Sequence, residues 1–430
     1  MARAEAVNCR HDAKVPLTRR NSPDRPAKPV KSANWTKWET TRVKIESVRA
    51  AAVTNPAVLG RSVEGAADWH SQFDHMNPLG TDSRYQGQAS RFCPPWGEVM
   101  CVVTTSSGAW GLGMSSLSGV TVPLINDYLG PMLSGESIQD RDRLWEMMTV
   151  ACGSHFGASG VASYAISAVD LALWDVAGKL AEKPVYELLG TTEPKPLRCY
   201  ATGSDLEWFG ELGFEAFKLP CPWGPDTATA IDQLVDLIGD GRELVGSSAD
   251  LMLDCWAVQS VEHAISIGEA VRAFNIEWIE DMIYPENWDG YSQVRSALPD
   301  DRLAAGERWY TDVPFLRAIK YGWVDVLQPD PLWVGGVTPC RRIADAAATA
   351  GYDLAIHCGA NDSYGQHLST ALSGNLWAEM YIGCARDSSL MNSYRATPGM
   401  SLPSKGFLQP SNAPGFGIEL SISDIERATA

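Results

Sequence analysis

Apolar and polar positions along this chain fall into two alternating patterns. Short apolar runs, each closed by a polar or charged residue, predict strands; apolar positions recurring three and four residues apart predict helices. In the C-terminal half the predicted strands are 198–203 (RCYATG), 216–220 (AFKLP), 251–254 (LMLD), EWIE ending at Glu280, RLAAGE ending at Glu307, 325–330, LAIH ending at His357 and NLWAE ending at Glu379. Helices are predicted between them over 228–238, 260–274, 313–321, 336–350 and 365–372. A strand–helix unit repeated in this way predicts an α/β barrel of TIM type, with its chemistry at the C-terminal ends of the strands.

The N-terminal half is patterned differently. Residues 41–53 (TRVKIESVRAAAV) alternate like a strand, and 97–115 reads as strand, turn at Ser106 to Gly108, and strand. Two helical stretches follow, and 160–190 reads as a pair of helices. Ile166, Val169, Leu173 and Val176 share one face there, Pro184 opens the second helix and Gly190 ends it. The pattern predicts an α+β domain over 42–190, the barrel over 191–400 and a C-terminal segment over 401–430, in which PGFGIEL (414–420) returns as a strand to pack on the body. Residues 1–41 are rich in Arg, Lys and Pro and poor in large aliphatics, which predicts a mobile basic extension. A loop over 60–95 carries His70, His75, Arg84 and Arg91; so long a loop inside a domain is usually functional or disordered.

Composition narrows the function. The 430 residues are 45% hydrophobic and 20% charged, enough for a large core. A net charge of −17 argues against nucleic acid or an anionic membrane as partner. A small anionic substrate stays open, because a metal and a few local cations set the field inside a pocket. No apolar run is read as approaching the roughly 20 residues that span a bilayer. The ten cysteines are scattered without a C-x-x-C pair, which predicts free, buried thiols and a reducing, cytoplasmic setting.

The chemistry gathers in 251–357. Asp254, Glu280, Glu307, Asp330 and His357 each close an apolar run, separated by 26, 27, 23 and 27 residues. Alone, each carboxylate could be a structural group, salt-bridged or capping the next helix. Asp254, Glu280 and Glu307 at three successive strand ends would converge, and three close anions repel unless a cation lies among them. Hard oxygen ligands select Mg²⁺ or Mn²⁺. Asp330 beside His357 would fix the imidazole tautomer and raise its basicity, leaving the other nitrogen to move a proton. Lys218 ends the second barrel strand, where it could neutralise a substrate carboxylate or a developing oxyanion. Two residues on, the same face carries Pro220, which has no proton to exchange. Paired carboxylates on a barrel also suit a metal-independent glycosidase, a rival reading at this stage.

These residues, with VDLALWD (169–175), KPVYELLG (183–190) and PGFGIEL, make the chain resemble the mandelate racemase branch of the enolase superfamily. Within that branch it is most similar to the L-rhamnonate dehydratase family, through YATG (200–203), KLP-x-x-WGP (218–225), LMLDCW (251–256) and WIE (278–280). The similarity runs from about residue 41 to 420.

The resemblance implies an α+β capping domain over a modified (β/α)₇β barrel, with a C-terminal return segment. It implies Mg²⁺ held by Asp254, Glu280 and Glu307, stabilising the enediolate formed as the α-proton of an acid sugar leaves. It implies His357 as acid/base, assisted by Asp330. The lysine pair of the racemases is reduced here to Lys218 and Pro220, leaving one base, as a hydro-lyase needs and a racemase does not. His70 and Arg91 match a family histidine and arginine, either of which could hold the substrate's distal hydroxyls or carboxylate, and His367 and Glu379 match polar positions close to the site, so all four are candidate substrate-binding residues. Family members are commonly octamers, which implies a homo-oligomer. L-rhamnonate, L-mannonate and L-lyxonate remain alternative substrates at this level, and a catalytically silent binding protein is the alternative of another class.

Overall fold

The structure, a computed structural model, describes residues 42–60, 95–221, 227–256 and 260–430. The predicted basic extension and the residues His70, His75, Arg84 and Arg91 lie outside the described residues.

Period-two alternation in the N-terminal half forms three antiparallel strands: β1 (Ile45–Ala52), β2 (Val99–Thr105) and β3 (Trp110–Ser115), in the order β1-β2-β3. The β2–β3 turn closes through Gly108, whose N–H donates to the Thr105 carbonyl at 2.8 Å. Helices α1 (Arg141–His155) and α2 (Val161–Ala181) cover this sheet. Close approach of α2 to β3 requires glycine: a Cβ on Gly113 would stand 1.9 Å from the Ala168 carbonyl oxygen. Residues 162–178 are all buried except Tyr164. By length and apolar composition α2 could cross a bilayer, which corrects the sequence expectation that no run was long enough. It lies instead inside the fold, with 89% of its apolar window covered by protein, as the core helix of two packed layers would.

Eight parallel strands build the second sheet. They are β4 (Leu197–Thr202), β5 (Ala216–Pro220), β6 (Asp250–Asp254), β7 (Ile279–Glu280), β8 (Leu303–Ala305), β9 (Val326–Leu327), β10 (Asp353–Leu354) and β11 (Ala378–Tyr381). Their order is β11-β4-β5-β6-β7-β8-β9-β10. A parallel bridge between Leu354 and Asn375, with the Leu376 N–H donating to the Leu354 carbonyl at 2.8 Å, ties the two ends into a TIM-type barrel. A further strand, β12 (Phe407–Leu408), adds antiparallel to β4. Tyr200, Ala216, Met252, Trp278, Ala304, Val326 and Ala355 pack together as the filling of the barrel.

The connecting helices are α3 (Leu206–Glu211), α4 (Thr227–Val245), α5 (Val261–Val271), α6 (Trp288–Ala297), α7 (Val313–Tyr321), α8 (Val337–Ala350) and α9 (Ser363–Ala371). Sequence pattern missed α3 and α6. The first turn of α6 holds Asp289 and Gly290, which blur the apolar period, although Asn287 caps it by accepting from the Gly290 N–H at 3.0 Å. Three predicted strands are shorter than expected and stop before their chemical residues: β8 ends before Glu307, β9 before Asp330 and β10 before His357. Pro329 has no N–H to continue the β9 ladder. Beyond β10 the chain turns at Cys358, whose φ is +50°.

The 414–420 segment corrects an expectation. It is not a strand: one bridge joins Gly415 to Pro184, and the chain then continues irregularly. Gly415 and Gly417 sit at φ +72° and +67°, which a strand cannot accommodate. The Phe416 N–H is spent on the buried Asp175 of α2, at 3.0 Å, rather than on a sheet edge. The last helix, α10 (Ile422–Thr429), is followed back to the end of β1, where the Thr54 N–H donates to the Ala428 carbonyl at 2.8 Å.

Candidate active site

Register sets the site. Pro220 pairs with Asp254, and Asp254 pairs with Glu280, so the C-terminal ends of β5, β6 and β7 stand level at one mouth of the barrel. Lys218 points inward on β5 and is fully buried. Its Nζ lies 2.5 Å from Glu280 Oε1, 2.8 Å from Glu379 Oε1 and 3.3 Å from Asp254 Oδ2. The second oxygen of Glu280 accepts from Gln328 Nε2 at 2.7 Å and Trp278 Nε1 at 3.0 Å. Glu379, on β11, also accepts from the Thr202 hydroxyl at 2.6 Å and the Cys358 N–H at 2.8 Å.

Glu307 stands two residues beyond β8, after Gly306 at φ +141°. It does not join the Lys218 cluster. Its Oε1 lies 2.5 Å from Arg308 Nη1 and its Oε2 lies 2.8 Å from His357 Nε2. The other imidazole nitrogen, Nδ1, is 2.6 Å from Asp330 Oδ2. Asp330 is fully buried, and its Oδ1 accepts from the Leu332 N–H at 2.8 Å, which fixes the carboxylate plane. The same Oδ2 accepts from Arg395 Nη1 at 2.7 Å. Trp333 stands against the His357 ring at 5.1 Å between centroids.

Burial and charge set the protonation states. Burial pushes the Asp254 and Glu280 carboxyls up; Lys218 opposes this, while neighbouring carboxylates add to it. Burial also pushes Glu307 up, but Arg308 and His357 outweigh it and hold this carboxyl below its usual range. Burial disfavours the His357 imidazolium, yet Cys358, Glu307 and Asp330 outweigh that and raise its pKa well above the ordinary value.

The charge is unbalanced in a way that bears on a metal. Among the described residues, Asp254, Glu280, Asp281, Glu307, Asp330 and Glu379 gather around Lys218, Arg308, Arg395 and one imidazole. One ammonium cannot neutralise three carboxylates, and Asp281 Oδ2 is buried without a hydrogen-bond donor. A hard divalent cation fits this surplus of buried carboxylate oxygen. His357, Cys358 and Glu379 also bring three ligand-type atoms within 4.8 Å of one another, but burial pushes the Cys358 thiol up, which keeps it protonated and a poor ligand.

Of the residues singled out from sequence, Asp254, Glu280, Glu379 and Lys218 therefore meet in one cluster, and Glu307, His357 and Asp330 in an adjoining one. His367 is elsewhere. It is fully buried on α9 against Tyr186 and Phe416, and its Nδ1 accepts from the Tyr186 N–H at 3.3 Å. Sequence reasoning missed Gln328, Arg308 and Arg395. Gln328 carried a usable signal, two residues before Asp330 on the same strand face; Arg395 lies in a stretch with no period to read.

Comparison with known proteins agrees with this architecture. A family model described as Enolase C-terminal domain-like matches residues 206–425, and one for the Mandelate racemase / muconate lactonizing enzyme, N-terminal domain matches residues 97–190. An L-rhamnonate dehydratase of Saccharopolyspora erythraea is 28% identical over 392 residues, 88% of this chain and 97% of its own length. A putative L-rhamnonate dehydratase of Caldivirga maquilingensis is 30% identical over 391 residues, 88% of this chain and 94% of its own. The crystal structure of rhamnonate dehydratase from Gibberella zeae complexed with Mg has a TM-score of 0.79 at 24% identity, over 89% of this chain and 95% of that one.

Proposed function

The chain belongs to the mandelate racemase branch of the enolase superfamily, and from that premise we propose that it is a Mg²⁺-dependent acid-sugar dehydratase acting on L-rhamnonate. The observation that carries this reading is the pair His357–Asp330, with Nδ1 at 2.6 Å from Oδ2 and Nε2 turned to the carboxylate cluster. Across the mouth, Lys218 is ion-paired three times and Pro220 follows it, so the described residues offer a base on one side only. Racemisation needs a base on each face of the substrate; elimination of water needs one.

Asp254, Glu280 and Glu307 would hold the cation, which when bound supplies positive charge against the substrate carboxylate as it becomes more basic. The rest is done by this chain's own groups. Nε2 of His357 takes the proton from C2, and Asp330 stabilises the imidazolium through Nδ1. The C3–O bond then breaks, and the same proton leaves with the hydroxyl as water. The remaining enol tautomerises to the 2-keto-3-deoxy acid. Lys218 and Glu379, buried and mutually paired, present fixed charge beside the reacting carboxylate.

A panel of acid sugars with Mg²⁺, assayed for 2-keto acid, tests the reading. L-rhamnonate turnover is expected, abolished by EDTA. Turnover that persists after complete removal of divalent cations would overturn it, and preference for L-mannonate or L-lyxonate would move the substrate assignment.

A further inference from the structure

Helix α2 carries a polar stripe through an apolar interior. Ser163, Ser167, Asp170 and Trp174 stand at i, i+4, i+7 and i+11, so they share one face, and all four are buried. Each turns a polar atom to the segment between β9 and α8. Ser163 Oγ donates to the Trp333 carbonyl at 2.6 Å, and Ser167 Oγ accepts from the Gly335 N–H at 2.8 Å. Asp170 accepts from the Thr338 N–H at 3.0 Å and from its hydroxyl at 2.7 Å, and Trp174 Nε1 donates to that hydroxyl at 3.2 Å. Two more side chains of the N-terminal domain join them: Ser115 Oγ donates to the Leu332 carbonyl at 2.9 Å and Trp145 Nε1 to the Gly335 carbonyl at 3.0 Å. The approach is close enough that a Cβ on Gly336 would stand 2.4 Å from Asp170 Oδ2. The other side of this turn is locked to Asp330. Its carbonyl accepts from the Trp333 and Val334 N–H groups at 3.0 and 2.8 Å, and its Oδ1 from the Leu332 N–H at 2.8 Å.

We propose that Ser163, Ser167 and Asp170 are positioning residues for proton transfer: through the turn over 332–338 they fix the Asp330 carboxylate that orients His357. The proposal rests on the acid-sugar reading and deepens it, by giving the N-terminal domain a part in the chemistry at the barrel mouth. The chain of contacts is continuous. Side chains of α2 hold the turn, the turn holds Asp330, and Asp330 Oδ2 stands 2.6 Å from His357 Nδ1. Stability alone does not account for the stripe. Buried polar groups cost desolvation, and apolar side chains would join the two layers without that cost. What satisfied hydrogen bonds add is direction, because they admit one arrangement of the turn where packing admits several. Rate is sensitive to that arrangement, since a proton-transfer group must be held in line with the atom it serves.

The test compares substitutions on two faces of the same helix. Ser167→Ala and Asp170→Ala should lower kcat for L-rhamnonate roughly 10- to 100-fold, the weight of a small misplacement at a reacting group. KM should stay within about threefold of wild type, because no interaction with bound substrate is removed. Asp170→Asn keeps an acceptor for the Thr338 N–H and should recover most of the loss. Asp175→Asn is the control: it weakens the contacts of α2 with β3 and the C-terminal segment but none with the turn, and should keep the wild-type kcat. Ser167→Ala removes a single neutral hydrogen bond and keeps the test decisive if Asp170→Ala does not fold. A second readout needs no substrate. The proton between His357 Nδ1 and Asp330 is followed by proton NMR as a far-downfield resonance, identified by its loss in His357→Asn. It should move in Ser167→Ala and stay in place in Asp175→Asn. A kcat within about twofold of wild type in Ser167→Ala overturns the proposal. So do equal losses in Asp175→Asn, which would mean that the stripe acts only through the stability of the fold. Wild-type protein that dehydrates no acid sugar overturns the reading beneath it instead, and the resonance then still decides whether α2 orients the pair.

Discussion

Nε2 of His357 lies 2.8 Å from Oε2 of Glu307. The proposed proton-transfer group and a carboxylate suited to hold a cation are thus in direct contact, although they follow strands two positions apart in the barrel order. A divalent cation held by Glu307, as proposed, would compete with the imidazole for that carboxylate. Loading the site would free the nitrogen that has to face C2.

Separation of these two roles gives the first prediction. His357→Asn should lower kcat by roughly 10²–10⁴-fold, the usual contribution of a general acid/base. Mg²⁺ should still stabilise this variant, because the proposed ligands remain. Steady-state kinetics and thermal denaturation with and without Mg²⁺ check both halves; a variant within tenfold of wild type would remove His357 from the proton transfer.

Glu280→Gln gives the second. Burial already pushes this carboxyl up, and Gln328 and Trp278 hold one of its oxygens with neutral donors that an amide oxygen can also satisfy. On its other oxygen the amide nitrogen must face the Lys218 ammonium, which keeps Asp254 and Glu379 as partners, so the metal-free variant should melt below wild type but still fold. What it should lose is the response to the cation. At a hundredfold excess over Kd, Mg²⁺ should stabilise wild type by about 2.7 kcal/mol. A Mg²⁺-induced shift of equal size in the variant would show that Glu280 is not a ligand.

Much of this site was legible because barrel chemistry follows strand ends. Asp254 and Glu280 are the final residues of β6 and β7, and the apolar run before each one locates them. Glu307, Asp330 and His357 were found by the same rule although each stands beyond its strand; the ladders end early, at Ala305, Leu327 and Leu354, without changing the order of the residues. Partners were harder to read. Nothing local to Glu307 says that it turns towards His357 rather than Lys218, since that choice depends on the charge of Arg308 beside it. Arg395 comes from an irregular stretch, and only the folded chain brings it to Asp330. PGFGIEL misled because its apolar residues alternate, whereas its glycines take backbone angles no strand allows.

Acid sensitivity should trace in part to His367. Burial lowers its pKa to about 3, from an ordinary value near 6.5. The native state therefore binds fewer protons than the unfolded chain between these values. Stability from this group is fully present above about pH 6.5, falls as pH drops through that window, and is lost by about pH 3. The full span corresponds to roughly 4–5 kcal/mol as an upper bound. His367→Gln keeps an acceptor for the Tyr186 N–H and does not titrate. Its urea midpoint should fall less than that of wild type between pH 7 and pH 5; parallel curves would assign acid sensitivity to other groups.

Asp175 joins three parts of the chain from the middle of α2. One oxygen accepts from the Leu112 N–H of β3 at 2.8 Å, and the other from the Phe416 N–H near the C terminus at 3.0 Å. Lys179, one turn along the helix, pairs with it at 2.7 Å. The carboxylate is fully buried, so Asp175→Ala strands two buried N–H groups and takes the partner from Lys179. Losing one member of such a buried, charged arrangement typically costs about 3–5 kcal/mol. Asparagine is not a full repair, because its amide nitrogen must face one of two N–H donors. The expected order of stability is therefore wild type, Asp175→Asn, Asp175→Ala, read from urea midpoints with unchanged slopes. Since none of these contacts involves the barrel mouth, KM should hold while the fold weakens. A loss under about 1 kcal/mol would mean that water replaces the carboxylate and that the three segments are held by packing alone.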